Sequence, residues 1–152
     1  MIRLSGSPLK GWLIVSTLQQ WAQDLMVVCA LAAATLAAGL LVLPSDWTDV
    51  PTSDPAVYLD AVQPWQWAVA GVVMVLLSAG SGAAGHAAAP VAGVAVPALA
   101  FWCYRAATVG WSGVNLWPIG AFFLALAVVP GVVISAQFGR LLGAKRRVTS
   151  GR

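Results

Sequence analysis

The feature that most constrains the fold is the length of the segments without a charged side chain. Leu25–Leu43 is uncharged, and as a helix it would be about 28 Å long, close to the thickness of the bilayer hydrocarbon. From Trp65 to Thr108 the only charged residue is Arg105, and one helix over this segment would be about 66 Å long, too long for a single span. The Gly- and Ala-rich segment 78–90 therefore predicts a break between two spans.

The composition supports an integral membrane protein. The chain has 152 residues, of which 60% are hydrophobic and 9% are charged, whereas soluble domains carry about 25% charged residues. We therefore expect one all-α domain over residues 1–152, an integral membrane four-helix bundle. The expected spans are about 22–43, 65–83, 88–108 and 117–142, with a loop at 44–64 and a basic tail at 143–152.

The segment before the first apolar run allows two interpretations. Between Gly11 and Asp24, apolar residues recur at helical spacing and three glutamines lie on another side of the helix. The segment could form an interfacial amphipathic helix or could extend the first span as one tilted helix.

Positive charge is concentrated at the two ends of the chain. Arg3 and Lys10 precede the first span, and the basic run Lys145–Arg147 follows the fourth. Because positive residues stay cytoplasmic, both termini are expected inside (N-in/C-in), which requires an even number of spans. The loop at 44–64 is then extracytoplasmic, and it holds four of the five acidic residues: Asp46, Asp49, Asp54 and Asp60.

The distribution of tryptophan supports the same orientation. Indole rings prefer the membrane–water interface, and one group falls at each expected boundary: Trp47, Trp65, Trp67, Trp102, Trp111 and Trp117 outside, Trp12 and Trp21 inside. The outer group could also form a surface for a partner. The richness in Ala, Val, Gly and Trp suggests, by composition, a bacterium with a GC-rich genome, so the expected location is a bacterial inner (cytoplasmic) membrane, with the chain crossing it several times.

Residues that could carry chemistry are few. His86 is the single histidine and lies in the expected turn, while Cys29 and Cys103 lie near opposite faces of the membrane, too far apart for a disulfide. We therefore expect no catalytic site, no metal and no cofactor, and hence no enzyme; a cofactor subunit using His86 is a weaker alternative.

Two charged residues are candidates for contact with a ligand or partner. Arg105 is expected near the outer boundary, where it could extend to the headgroups or pair with a loop aspartate. Alternatively it could bind a lipid phosphate, an anionic ligand or another subunit. Asp24 borders the first span on the inner side, where a proton-relay role is conceivable.

Small residues at i+4 spacing indicate helix-packing faces, because lipid gives no hydrophobic drive for helix association. Two such stripes occur: Ala127, Gly131, Ser135 and Gly139 in the fourth span, and Ala30, Ala34 and Ala38 in the first. Pro97 and Pro130 lie inside the third and fourth spans, where each frees the carbonyl four residues earlier and predicts a kink.

These observations favour a non-catalytic accessory or interaction subunit acting through helix–helix contacts. The expected partners are membrane lipids and other membrane subunits or further copies of the chain. Nucleic acid is not expected, because the basic residues lie at the two ends and form no patch. The alternative is a small transporter or channel formed by homo-oligomerisation, with Arg105 and Asp24 lining the path.

Overall fold

Four α-helices make up most of the part of the chain that the structure describes. The computed structural model describes residues 9–44, 50–51, 58–59, 62–108 and 117–150, and it describes side chains within 18–44, 62–108 and 118–145. The helices are α1 (Leu9–Val42), α2 (Pro64–Ala84), α3 (Val96–Thr108) and α4 (Trp117–Ser150), and a π-helical turn (Val91–Ala95) leads into α3. In the first loop, β1 (Val50–Pro51) pairs antiparallel with β2 (Tyr58–Leu59).

Within the described residues, four helical segments are long and apolar enough to cross a membrane: Leu18–Val42, Pro64–Ala84, Val91–Thr108 and Pro118–Lys145. The prediction of an all-α bundle with four spans is confirmed, and the chain is a multi-pass membrane protein. The segment 11–24, for which two interpretations were open, belongs to one continuous helix, α1. Several residues named above lie outside the described side chains: the four loop aspartates, Trp12, Trp47, Trp111, Trp117, and the basic residues beyond Lys145.

The predicted break between the second and third spans lies just after α2. Gly85 adopts the left-handed conformation, with φ 103°, and donates its backbone N–H to the carbonyl of Gly82. His86 donates its backbone N–H to the carbonyl of Ser81. A left-handed residue satisfies the last carbonyls of a helix in this way, and glycine adopts that conformation without a Cβ penalty.

The helices run alternately between two ends of the bundle. The turn end holds Asp24 of α1, the turn at 85–88 and Gly143 of α4, whereas the loop end holds Leu43 and Arg105. Between them lies a small buried core: Leu31, Ala89, Val94, Ala95 and Val132. Most large apolar side chains lie outside this core and are exposed, as expected for a chain whose outer surface faces lipid.

The closest helix pair is α2 with α4, and glycine makes the approach possible. A Cβ atom on Gly82 would collide with the carbonyl of Ala136, and one on Gly139 would collide with the carbonyl of Ala79. A Cβ on Gly143 would lie 2.5 Å from the carbonyl oxygen of Ala83. Because the two backbones touch directly, small residues here do the packing that larger side chains do in soluble bundles.

Candidate functional site

The loop end is closed by polar side chains that bind the C-terminal end of α1. The side chain of Gln66 donates from Nε2 to the carbonyl of Val42 at 2.9 Å and accepts the backbone N–H of Gln63 on Oε1 at 2.8 Å. One amide therefore satisfies the last turn of α1 and the first turn of α2 together. This contact was not predicted, although glutamine at the third position of a helix that begins with proline, here Pro64, is a known N-terminal signal.

Arg105 lies at the same end of α1. Its guanidinium donates to the carbonyl of Pro44 at 3.2 Å, and the side chain is half-buried. A cation beside the C-terminal end of a helix is stabilised by the partial negative charge of the free carbonyls there. This contact of Arg105 is with the chain's own backbone, and it links α3 to the end of α1.

The π-helical turn packs against α1, which also contacts α3 directly. Pro97 has no N–H, so the carbonyl of Gly93 has no donor four residues later. The hydroxyl of Thr35, which is buried, donates to that carbonyl at 3.4 Å. A Cβ on Gly93 would lie 2.7 Å from that of Leu31, so only glycine permits this approach. The freed carbonyl was predicted, but its partner on α1 was not.

An apolar cavity lies between all four helices, from the middle of the bundle to the loop end. Its volume is about 400 Å³. Its lining comprises Thr35, Ala38, Gly39 and Leu43 of α1, Trp67, Ala70, Val73 and Met74 of α2, Ala98, Leu99, Phe101 and Trp102 of α3, and Leu124 and Val128 of α4.

A polar cleft lies at the turn end. His86 Nδ1 and Asp24 Oδ1 are 2.8 Å apart, and their side chains are 30% and 51% exposed. The cleft has a volume of about 710 Å³, and its polar lining also includes Gln19, Gln20 and Gln23. Sequence reasoning named Asp24 and His86 separately and missed their pairing, because they are 62 positions apart.

The Asp24–His86 pair joins α1 to the turn after α2. Such a pair can fix the orientation of an imidazole ring and can transfer a proton. Within the described part of the chain, no three His, Cys, Asp or Glu side chains come together in a way that could hold a metal ion. Both partners are substantially exposed, so the pair contributes at most about 1 kcal/mol to stability.

The predicted stripe on α4 divides between two environments. Gly139 is buried against the backbone of α2, whereas a Cβ on Gly131 would meet no atom within 4 Å. Ala127 is exposed, and Ser135 is half-buried with its hydroxyl donating to the carbonyl of Gly131 at 2.7 Å. The internal face of α4 instead runs through Val132, Ala136, Gly139 and Gly143.

The outer part of this stripe borders a groove. Ala127, Gly131 and Ser135 line it from α4, together with Val128 and Val132, and Met74 and Val75 line it from α2. The groove has a volume of about 210 Å³. We call this surface the α2/α4 groove.

The predicted stripe on α1 divides in a similar way. Ala30 is exposed, Ala34 is half-buried and Ala38 lines the apolar cavity. Among the α1 side chains that the structure describes, residues 18–42, the buried ones are Leu31 and Thr35, each one position after a member of the stripe.

The chain has no match among protein-family models, curated proteins or solved structures.

Proposed function

We propose that the protein is a non-catalytic membrane subunit that binds a transmembrane helix of another protein in the α2/α4 groove. The observation that carries the proposal is the exposure of Gly131, where an added Cβ would meet no atom within 4 Å apart from the backbone of its own helix. Lipid-facing positions gain nothing from glycine, whereas a glycine in a groove lets a second helix approach closely. The small neighbours Ala127 and Ser135 extend the same surface along α4.

The shape of the groove favours a helix of another protein as the partner, rather than a second copy of this chain in a symmetric dimer. A twofold contact brings the same patch of two copies together, so that the patch must be self-complementary. A groove facing a groove leaves a void, while a single convex helix fills it. The proposed occupant is therefore one apolar helix with a small-residue face.

Transport is the alternative function, and it would require a path for ions or solutes across the apolar core. Leu31, Val94 and Ala95 are buried between the polar cleft and the loop end. Among the described side chains, no polar route joins the two ends within one bundle. Transport would therefore need a path between several copies, and it predicts a homo-oligomer.

The experiment compares two glycine variants. Gly131→Leu fills the groove, whereas Gly80→Leu places the same side chain on an exposed glycine of α2 that also has no atom within 4 Å. A photo-crosslinking residue at Ala127 identifies the neighbour in native membranes before the protein is purified in mild detergent. We expect a crosslink to one membrane protein, abolished by Gly131→Leu and retained in Gly80→Leu.

The outcomes separate the two functions. A crosslink that survives Gly131→Leu, or a particle that contains this chain alone, overturns the proposed partner binding. A homo-oligomer that moves ions or solutes across liposomes supports the transporter instead.

A further inference from the structure

The geometry points to the apolar cavity as a binding site for one hydrocarbon chain of a lipid or lipid-like molecule. The inference is independent of the α2/α4 groove, because the two sites share only Met74 and Val128 and the cavity is formed by all four helices.

The chemistry of the lining selects an uncharged hydrocarbon. Thr35 is the only lining residue with a hydroxyl, and that hydroxyl is directed to the carbonyl of Gly93. The indole rings of Trp67 and Trp102 and the phenyl ring of Phe101 form much of the remaining wall. A buried polar group without a hydrogen-bond partner is costly, and water needs two to four polar partners to stay in a cavity. The cavity therefore disfavours water and polar ligands alike.

The volume of the cavity is sufficient for only part of a lipid molecule. A volume of about 400 Å³ lies within the range of known ligand sites. If each heavy atom of the ligand occupies about the volume of one water molecule, about 30 Å³, the cavity holds roughly a dozen heavy atoms. That number corresponds to a segment of an acyl or isoprenoid chain, and the remainder of the molecule must lie outside.

The position of Trp67 indicates where the chain enters. Trp67 is 40% exposed, more than any other residue of the lining, while Leu43 at the loop end is buried. The opening is therefore on the lipid-facing side of α2, three residues from its start at Pro64. An occupant entering there keeps its polar end near the loop end and its chain in the bundle.

Packing, not the hydrophobic effect, stabilises this complex. The chain leaves one apolar environment, the bilayer, for another, so little apolar surface is removed from water. The gain comes from van der Waals contacts between the hydrocarbon chain and the walls of the cavity. Binding should consequently depend closely on the free volume inside the cavity.

The test uses a matched pair of alanines on α2. Ala70 lines the cavity, whereas Ala68 is exposed and does not. The wild-type protein, Ala70→Phe and Ala68→Phe are reconstituted in vesicles that contain a phosphatidylcholine with a diazirine in the middle of one acyl chain. A second set contains a free fatty acid with the same diazirine. Adducts are mapped by mass spectrometry, with and without an excess of the unlabelled molecule.

We expect saturable labelling of the cavity wall at Leu99 or Phe101 in the wild-type protein. Ala70→Phe should reduce it by about tenfold, the change expected from losing roughly ten van der Waals contacts, and Ala68→Phe should leave it unchanged. Labelling by the phospholipid alone identifies a resident lipid, and labelling by the free acid identifies an exchangeable ligand; both support the site.

Two results would overturn the inference. One is labelling of the wall that excess unlabelled molecule reduces only in proportion to the dilution of the probe in the bilayer, which is the behaviour of bulk lipid. The other is equal labelling in Ala70→Phe and Ala68→Phe. If Ala70→Phe does not fold, as judged by circular dichroism and size-exclusion chromatography, the competition experiment on the wild-type protein decides alone.

Discussion

Replacing Gly139 by alanine should destabilise the protein, although the same change in most helices is stabilising. Alanine in a helix interior is favoured over glycine by about 0.5–1 kcal/mol. At this position, however, the new Cβ would collide with the carbonyl of Ala79, and a backbone atom cannot move away as the end of a side chain can. Forcing extra volume into a packed contact costs about 1–3 kcal/mol. The collision should therefore outweigh the intrinsic preference.

Gly131→Ala on the same helix is the matched control. It adds the same methyl group where no atom lies within 4 Å, so it should stabilise by the intrinsic amount. The difference between the two free energies of unfolding cancels that preference and measures the clash alone, about 1–3 kcal/mol. Equilibrium unfolding in mixed detergent micelles provides both values. A difference smaller than about 0.5 kcal/mol, the scatter of neutral substitutions, would refute the close approach of α2 and α4.

Three further predictions concern the polar contacts at the two ends of the bundle. Asp24→Asn and His86→Ala in a double-mutant cycle should show a coupling energy of at most about 1 kcal/mol, because both side chains are substantially exposed; a larger value would show that the pair is shielded from water. Gln66→Ala should lower the free energy of unfolding by about 1–3 kcal/mol, since the carbonyl of Val42 loses its side-chain donor; an unchanged unfolding midpoint would contradict this role. Arg105→Met should cost about 1–2 kcal/mol in the same assay and Arg105→Lys less, because lysine keeps the charge at the helix end; equal losses would exclude the charge as the cause.

The architecture was predictable because hydrophobicity and charge act over whole segments. The uncharged run ending at Leu43 had to cross the bilayer once, and the segment from Trp65 to Thr108 was too long to cross it only once. The break after α2 was equally accessible, since glycine marks the left-handed position that ends a helix, here Gly85. None of these inferences needs knowledge of which helix touches which.

The sites depend on that knowledge, and for this reason they were only partly predictable. Asp24 and His86 each appear in the sequence as a single polar residue near a boundary, and only the folding of α2 beside α1 brings them together. Trp67 and Trp102 match an interfacial belt by position, yet both line the apolar cavity. A cavity is a property of the space between helices, so no pattern within one helix can reveal it.

The small-residue stripe on α4 shows how helix geometry turns one sequence pattern into two surfaces. With about 3.6 residues per turn, each step of four residues advances about 40° around the helix, so Gly139 is rotated by about 120° from Ala127. A stripe at i+4 spacing therefore cannot remain in one straight contact. The internal residues of α4, from the buried Val132 to Gly143 beside Ala83, follow steps of four, three and four, which keep to one side. The i+4 stripe consequently begins on the outer surface, borders the α2/α4 groove at Gly131 and ends inside the bundle. This rotation leaves Gly131 exposed in the groove where we propose that a partner helix binds.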